Sequence, residues 1–524
     1  MAVTTTYALN FVKVLDLPTG PAQANADMTS LANGGFAAAG DIGSNHSLDF
    51  FDADGNHAGV GAASAIGTFS SVVQLANGDI YMGSEDSTSV WRSQLSGGLF
   101  VQSKILDPDS SKADVAALTG GSAWVVYEDF QGGSNYDIKV LRDPANGQPA
   151  QGFTIDSSLS EDHGASAAGL DDGNVAIAWT RTAGSETEVW YAVYDPAGVA
   201  VKAPLLLDTA GSINRSVSVA AKSQGFVIAY QDNGWNSGTS DITLAQFTLN
   251  GAFERWDNVS NPNSVNDFSH DTNPYVARLP NNDVIVAYSY NEFPIITYTK
   301  FRLIDPADGS ILASRNFASP FDDAEFPALA GFGNGGVAVF HTNVTESDIE
   351  GAHFQAVRTS LGDSARNVIA GDSLVDVMRG GRNNDTLRGF AGDDRLAGES
   401  ENDTLDGGTG RDVMSGGSGS DRFVFASIGD SGTTPATRDR ITDFKHRIDK
   451  IDLTAIDAKT GTGGKDTFVF IGTLAFNAEG QVRVVQSGLN TIVQVNTTGT
   501  TGAEMSIRLD NVTASALTLV DFFF

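Results

Sequence analysis

Residues 362–424 consist of a nine-residue pattern that occurs seven times in succession without an insertion. The first position is always Gly, the sixth is Asp in every copy except the first, which has Asn, and the eighth is always apolar. The copies read GDSARNVIA, GDSLVDVMR, GGRNNDTLR, GFAGDDRLA, GESENDTLD, GGTGRDVMS and GGSGSDRFV. A flexible Gly/Asp-rich linker has no reason to place an apolar residue at every ninth position, so the pattern favours a folded repeat over a linker.

Each copy is expected to form a turn followed by a short strand. Glycines at the first, second and fourth positions allow positive φ, so the chain can turn tightly and present its carbonyl oxygens. The sixth-position carboxylate supplies the hard, charged oxygen that Ca²⁺ prefers, and the eighth side chain points into the core. Two copies would make one coil of a parallel β-roll. The sixth-position residues then form two stacks, with up to five ion positions between successive turns: Asn367, Asp385, Asp403 and Asp421 in one, and Asp376, Asp394 and Asp412 in the other.

The predicted calcium ligands come from the first, fourth and sixth positions. They are Gly371, Asp376, Gly380, Asn383, Asp385, Gly389, Gly392, Asp394, Gly398, Asp403, Gly407, Gly410, Asp412, Gly416, Gly419 and Asp421. Leu374 and Glu401 replace the expected fourth-position Gly, and Asn367 carries no charge. Weaker sites are expected beside these three residues.

The pattern G-G-x-G-x-D-x-U-x resembles the calcium-binding repeat of RTX proteins, a family of secreted bacterial proteins. After the repeats, Asp439, Ile441, Asp443, Phe444 and residues 449–453 resemble the cap of serralysin-like proteins, in which Gly usually stands where this chain has Arg447. An ordinary strand pair with acidic edges is the simpler alternative for the cap. The ending LTLVDFFF resembles the signal of type I secretion. The resemblance implies calcium-dependent folding outside the cell, an ABC exporter as partner, and an extracellular or cell-surface location.

Composition agrees with that expectation. The 32 Lys and Arg against 64 Asp and Glu give a formal charge of −32, which disfavours nucleic acid and anionic membrane surfaces as partners. The chain has no Cys, so no disulfide stabilises it. The first twenty residues lack the pattern of a Sec signal, and no apolar run reaches the length of a membrane span.

Residues 1–360 contain a second repeat, with a period of about 50 residues. A Leu-like residue, a polar turn and an apolar strand recur seven times, as in LANGDIYMGS from Leu75 and LDDGNVAIAW from Leu170. A hairpin with an Asp/Gly turn follows most copies, so each period holds four strands, as a propeller blade does. The last copy lacks its fourth strand, which the segment from Tyr7 is expected to supply. A β-sandwich array and a solenoid are the competing folds.

The sequence therefore predicts an all-β protein with three parts. Residues 1–360 form a seven-bladed β-propeller, residues 361–424 form the parallel β-roll, and residues 425–524 form a β-rich cap with the secretion signal.

The role of the propeller is less constrained. H-E-x-x-H is absent, so the chain is not expected to be a zinc metalloprotease. Segments entering the innermost strands place polar residues near the channel rim, and these form a possible ligand site: His163, Arg215, His270, Asp271 and Glu325. Polar turns that only face water are the simpler interpretation. Trp235 either stacks on a sugar or packs within a blade.

Three functions remain open for the propeller. The first is an extracellular binding or structural module, such as an adhesin, lectin or surface-layer component, whose partner is a polysaccharide or cell surface. The alternative is a secreted polysaccharide hydrolase or lyase that uses the channel rim. A toxin ranks last, because the sequence has no long apolar segment suited to pore formation.

Overall fold

The computed structural model describes most of the chain, and its regular structure is almost entirely β. Two 3-10 turns, Ala514–Ala516 and Leu519–Asp521, are the only helical elements in this part. No helix there is long and apolar enough to span a membrane. The chain divides into two compact units, residues 11–354 and residues 355–524 together with 1–10. The described residues are 3–16, 23–33, 35–42, 45–52, 56–60, 68–86, 89–96, 99–104, 110–132, 135–143, 150–157, 161–184, 186–209, 216–232, 240–260, 270–279, 281–292, 296–317, 324–332, 336–343, 348–461, 463–499 and 501–524.

Residues 11–354 form a succession of four-stranded antiparallel blades. The first two blades contain β2 (Gln23–Ser30), β3 (Phe36–Ile42), β4 (Asn45–Phe51) and β5 (His57–Val60), and β6 (Thr68–Gln74), β7 (Ile80–Asp86), β8 (Ser89–Ser96) and β9 (Leu99–Lys104). The third and fourth blades contain β10 (Ser110–Ala117), β11 (Ala123–Gly132), β12 (Asn135–Asp143) and β13 (Gln151–Asp156), and β14 (Glu161–Gly169), β15 (Val175–Ala183), β16 (Glu186–Tyr194) and β17 (Ala200–Thr209). The fifth and sixth blades contain β18 (Val217–Lys222), β19 (Gly225–Asp232), β20 (Asp241–Thr248) and β21 (Phe253–Asn258), and β22 (His270–Arg278), β23 (Val284–Glu292), β24 (Ile296–Ile304) and β25 (Ile311–Phe317).

The seventh blade uses both ends of the repeat region. It contains β26 (Ala324–Phe332), β27 (Gly336–Asn343) and β28 (Asp348–Leu361), and β1 (Thr4–Asp16) pairs with β28. Each innermost strand contacts that of the next blade, and β26 contacts β2, so the ring is closed. The fold is therefore a seven-bladed propeller, and the N-terminal strand β1 pairs with a strand of its last blade.

The sequence explains the blade geometry locally. In the phrase from Leu75, the Leu75 N–H donates to the Asp79 carbonyl at 2.8 Å, and Gly78 adopts a φ of 89° in the turn. The following strand is apolar on both faces because it lies between neighbouring blades. The large aromatics of these strands are accordingly buried, as expected for blade packing: Trp124, Trp179, Tyr230 and Tyr288.

The second unit contains a parallel roll built from two sheets. One sheet has the order β29 (Val368–Ala370), β31 (Thr386–Arg388), β33 (Thr404–Asp406), β35 (Arg422–Val424), β37 (Lys450–Asp452) and β42 (Phe522–Phe523). The other has the order β30 (Val375–Gly381), β32 (Arg395–Glu399), β34 (Val413–Ser415), β36 (Asp439–Ile441), β41 (Met505–Leu509), β40 (Asn490–Asn496), β39 (Gln481–Ser487) and β38 (Val469–Phe470). Val368 pairs with Thr386, and Thr386 with Thr404, so one coil takes two repeats.

The core of this unit follows the repeat. All seven eighth-position side chains are at most 2% exposed and belong to one apolar cluster: Ile369, Met378, Leu387, Leu396, Leu405, Met414 and Phe423. Ile441, Ile451 and Phe522 extend the same cluster beyond the last repeat. The predicted boundary between roll and cap at residue 424 stays a prediction, since the compact units separate within β28 instead.

Candidate metal centre and propeller channel

The sixth-position carboxylates form two ladders along the roll. In each ladder, the backbone N–H of one such residue donates to Oδ1 of its counterpart one coil later, at 2.7–3.1 Å. One ladder contains Asn367, Asp385, Asp403, Asp421 and Asp449, and the other contains Asp376, Asp394, Asp412 and Asp439. The two stacks expected from the repeat are therefore present, and each gains one residue from the region after it.

In six of these carboxylates the second oxygen has no hydrogen-bond donor among the described residues. Oδ2 is buried and accepts no hydrogen bond within the described residues in Asp385, Asp394, Asp403, Asp412, Asp421 and Asp439. A buried ionised oxygen without a partner is costly, so native structures usually satisfy it with a hydrogen bond or a cation.

Burial shifts the acidity of the same groups. Desolvation raises the pKa of Asp403 and of Asp412 to about 7, and that of Asp394 and of Asp439 to about 9. Neighbouring ladder carboxylates add to the rise, since like charges oppose ionisation. The roll without an ion therefore favours protonated side chains, and a divalent cation would favour the ionised form instead.

The glycines keep space open around the free oxygens. A Cβ on Gly380 would lie 2.6 Å from Asp385 Oδ2 and 2.8 Å from the Gly398 carbonyl oxygen. The first-position glycines from Gly371 to Gly416 all have their own repeat's Oδ2 in this place. A cradle lined by a carboxylate oxygen and backbone carbonyls fits Ca²⁺, which takes six to eight oxygen ligands.

The ligand set must include the backbone. Within the described part of the chain, no three His, Asp or Glu side chains lie together in a way that could hold a metal. The first ladder position also differs from the others, because Arg358 Nε donates to Asp376 Oδ1 at 2.6 Å. Asp376 thus already has a cationic partner, which disfavours an ion at that end of its ladder.

The predicted irregular positions behave in different ways. Leu374 buries its side chain completely, whereas Glu401 and Asn383 adopt the positive φ expected of a fourth-position Gly. Two further irregularities were not predicted from the sequence: Phe390 and Glu399 stand at the second position with φ values of 76° and 77°. The sequence did carry a signal for these two residues, because they occupy the second position, at which other repeats have Gly.

A cavity of about 660 Å³ occupies the propeller, lined by the innermost strands of all seven blades. Its acidic groups are Asp27 and Asp114, and neither forms an ion pair with a described residue. Asp27 accepts hydrogen bonds from Tyr275 Oη at 2.5 Å and Val72 N at 2.8 Å. Asp114 accepts from Ser71 Oγ at 2.7 Å and Ala167 N at 2.8 Å. Both carboxylates therefore link blades.

The predicted rim residues are only partly described. His163 lies at the start of β14 and is nearly buried; its Nδ1 is 3.4 Å from Glu128 Oε2 and its Nε2 is 3.7 Å from Glu161 Oε2. Asp271 is fully buried on β22. Arg215, Trp235 and the side chains of His270 and Glu325 lie outside the described residues. The shared site predicted for the five rim residues therefore stays a prediction.

Residues 348–523, about a third of the chain, match the family model described as the serralysin C terminus of M10 peptidases. This region resembles the RTX-type C terminus of serralysins. The serralysin-like region indicates a secreted bacterial protein that binds calcium. No curated protein matches the chain.

Several solved structures are similar to this chain over part of its length. A streptogramin B lyase is 13% identical, with 67% of this chain and 98% of that chain covered and a TM-score of 0.42. A virginiamycin B lyase from Staphylococcus aureus is 11% identical, with 67% and 99% covered and a TM-score of 0.40. A puromycin hydrolase is 14% identical, with 63% and 53% covered and a TM-score of 0.41. Likenesses at this level do not establish a shared activity.

The end of the serralysin-like region is folded into the roll. Asp521 is fully buried and accepts hydrogen bonds from His446 Nδ1 at 2.9 Å and Arg447 N at 2.8 Å. Arg447 adopts a φ of 64°, the left-handed conformation for which the family resemblance implies Gly. The turn is therefore formed in spite of the substitution.

Proposed function

We propose that this protein is exported through a type I system and that its roll folds when the carboxylate ladders bind several Ca²⁺ ions outside the cell. The observation that carries the proposal is the set of six buried Oδ2 atoms that accept no hydrogen bond from the described part of the chain, aligned along the roll at one per coil in each ladder. Each would bind an ion together with carbonyl oxygens of the glycine turns. Extracellular calcium modules have dissociation constants of about 10⁻⁴–10⁻³ M, so the roll would bind at outside concentrations only.

The ladder itself explains why folding would wait for calcium. Each ladder places like charges one coil apart in a desolvated environment, which destabilises the ion-free roll above the pKa of its carboxylates. A bound divalent cation supplies the compensating charge, and binding to the folded form alone stabilises it by mass action. The chain could therefore stay loose during export and fold after it.

Calcium titration with hydrogen-exchange mass spectrometry of the full chain tests this proposal. Peptides from residues 362–424 are expected to gain protection at millimolar Ca²⁺ and to lose it in EDTA, whereas peptides from residues 110–260 change little. Mg²⁺ at the same concentration should protect the roll less, because it demands a smaller octahedral site. Equal protection of residues 362–424 in EDTA and in Ca²⁺ would exclude calcium-dependent folding.

For the propeller we propose a binding role at the cell surface or on an extracellular polysaccharide. The polar cavity lined by all seven innermost strands and the acidic composition of the chain support a module that engages polar ligands. Retention on an array of bacterial and host glycans tests this role. Binding to none of the glycans, together with no release of the protein from cells by EDTA, would contradict it.

One observation favours the alternative of a secreted polysaccharide hydrolase or lyase. His163 has a carboxylate near each ring nitrogen, which is an arrangement that can position a general base. Hydrolysis or lysis of acidic and neutral polysaccharides should then be lost in His163→Ala. His57→Ala is the matched control, because His57 also pairs with a carboxylate, Asp49, at 2.8 Å but lies on an outer strand. Equal activity of both variants and the wild type would rule out this base.

A further inference from the structure

One position recurs on the innermost strand of every blade, and in six of the seven blades its residue lines the propeller cavity. It pairs with the same position of the second strand each time, as Asp27 does with Ala39 and Tyr275 with Ala287. In six blades a β-bulge precedes it. The seven equivalent residues, in blade order, are Asp27, Ser71, Asp114, Ser166, Ser218, Tyr275 and Ala328.

The first five of these residues bond each blade to the next. In each case a side-chain oxygen of the residue at this position accepts a hydrogen bond from a backbone N–H of the next blade. The donor is the residue that directly follows the equivalent position in that blade. The donors and acceptors are Val72 N to Asp27 Oδ2 at 2.8 Å, Val115 N to Ser71 Oγ at 3.3 Å, Ala167 N to Asp114 Oδ2 at 2.8 Å, Val219 N to Ser166 Oγ at 3.1 Å and Val276 N to Ser218 Oγ at 3.0 Å. These five hydrogen bonds, called the inter-blade relay below, connect the first six blades in succession.

The relay changes at the seventh blade. Ala328 has no polar side-chain atom, so it offers no acceptor for the first blade. Tyr275 of the sixth blade instead donates its hydroxyl to Asp27 Oδ1 of the first blade at 2.5 Å. This hydrogen bond joins the sixth blade to the first without using a residue of the seventh. The outer strand of the seventh blade, β1, comes from the other end of the repeat region.

We propose that Tyr275 and Asp27 form a clasp that closes the inter-blade relay across the seventh blade and fixes the position of that blade in the ring. The clasp is needed at this point because the seventh blade is the one assembled from two distant parts of the chain. Without it, Asp27 would lose its link to the sixth blade. The contacts that hold the seventh blade to the first would then include the hydrogen bond from Ser30 Oγ to the Gly331 carbonyl and the apolar packing of Ala328 and Phe340 against Met28 and Phe36.

The clasp responds to pH. Asp27 faces the Tyr275 hydroxyl and the nearby Asp114 carboxylate; burial raises the pKa of Asp27 to about 6, and the Tyr275 hydrogen bond opposes that rise. Asp114 has a raised pKa from burial as well. A hydroxyl donates more strongly to a carboxylate than to a carboxylic acid, so the clasp contributes most when Asp27 is ionised, above about pH 6.

Tyr275→Phe in the full, calcium-loaded chain tests the clasp. Hydrogen-exchange protection factors for β2, β6 and β26 should fall about tenfold or more at pH 8, and clearly less at pH 5. Tyr191→Phe is the matched control: it also removes a hydroxyl bond, from Tyr191 Oη to the Gly251 carbonyl at 3.1 Å, but the acceptor is uncharged. Its effect should be the same at both pH values and confined to the fourth and fifth blades.

A rescue experiment separates the clasp from general loss of packing. Ala328→Ser places a hydroxyl at the seventh relay position, where the pattern of the other blades would direct it to the Met28 N–H of the first blade. Added to Tyr275→Phe, it should recover part of the lost protection in β2 and β26. Equal protection in Tyr275→Phe and the wild type at pH 8 would overturn the proposal, and so would a loss of the same size at pH 5. If Tyr275→Phe does not fold, Ala328→Ser alone must still raise protection in β2; no change there would also overturn it.

Discussion

The backbone N–H of Asp394 donates to Oδ1 of Asp412 at 2.8 Å, one full coil later, while Oδ2 of Asp412 accepts no hydrogen bond from any described residue. In six ladder carboxylates, Asp412 among them, one oxygen thus holds the coil spacing and the other accepts no hydrogen bond from a described residue. The same residue therefore serves both the architecture of the roll and its proposed affinity for cations.

Asp412→Asn is expected to separate these two roles. The amide oxygen can still accept the Asp394 N–H, so the calcium-free variant should be at least as stable as the wild type, since it buries less charge. The stabilisation by calcium should fall, by about 3 kcal/mol if one ion is lost at a concentration 100 times its Kd. Chemical unfolding of both proteins with and without calcium measures the two quantities.

The neighbouring substitution Asp393→Asn is the control for this prediction. Asp393 is partly exposed, and its Oδ1 accepts the Arg411 N–H at 2.9 Å. It should leave the calcium-dependent gain nearly unchanged. An equal loss in both variants would mean that general charge, rather than ladder geometry, determines the response to calcium.

Gly407→Ala is expected to disrupt the roll. A Cβ at Gly407 would collide with the carboxylate of Asp412, whose Cγ would be 2.6 Å away. Either the carboxylate or the coil must move, at a cost of about 1–3 kcal/mol, and calcium affinity should fall with it. Gly461→Ala makes the same change where no atom lies within 4 Å, and its melting temperature should match that of the wild type.

Phe390→Gly should stabilise the protein. Phe390 is 55% exposed and has a φ of 76°, so its side chain gains little from burial while its backbone is strained. Replacement by Gly is expected to raise the free energy of unfolding by about 0.5–1 kcal/mol. Phe390→Ala retains the Cβ and hence the strain, so it should show no such gain; similar gains in both variants would point to loss of the exposed ring as the cause.

The stability of the roll without calcium should depend on pH in a defined direction. Folded-state pKa values raised from 3.8 to about 7 for Asp403 and about 9 for Asp394 mean that the folded state holds protons that the unfolded chain has released. Stability is then full below about pH 4 and decreases as pH rises through 7 to 9. Thermal melts in EDTA from pH 4 to 9 measure this, and a melting temperature that rises with pH would contradict it.

Calcium should reverse this dependence. Because the ions compete with protons for the same carboxylates, calcium affinity should increase between pH 6 and 9. Calorimetric titration at several pH values measures the affinity and the protons released. Binding that is independent of pH in this range would exclude Asp394 and Asp403 as ligands.

Periodicity made much of this structure predictable. The period of nine placed Met378 and Leu405 in the core, and the turn phrase with its following hairpin gave seven blades with an N-terminal strand in the last. Both are local patterns, repeated often enough that single exceptions do not obscure them. Phe390 and Glu399 are exceptions at the second position of the repeat, and their positive φ follows from the close approach of successive coils.

The repeat in residues 362–424 by itself determined a parallel roll, the order of its stacked carboxylates and the chemistry of the ion they suit, because each of these depends on spacing along the chain. Only the tertiary structure decided which oxygens are free, that Asp439 and Asp449 extend the ladders, and that Arg358 reaches Asp376. The hydrogen bond between Tyr275 and Asp27 was likewise decided only by the tertiary structure. These residues are far apart in sequence and carry no shared pattern, so only closure of the coils and of the ring brings them together.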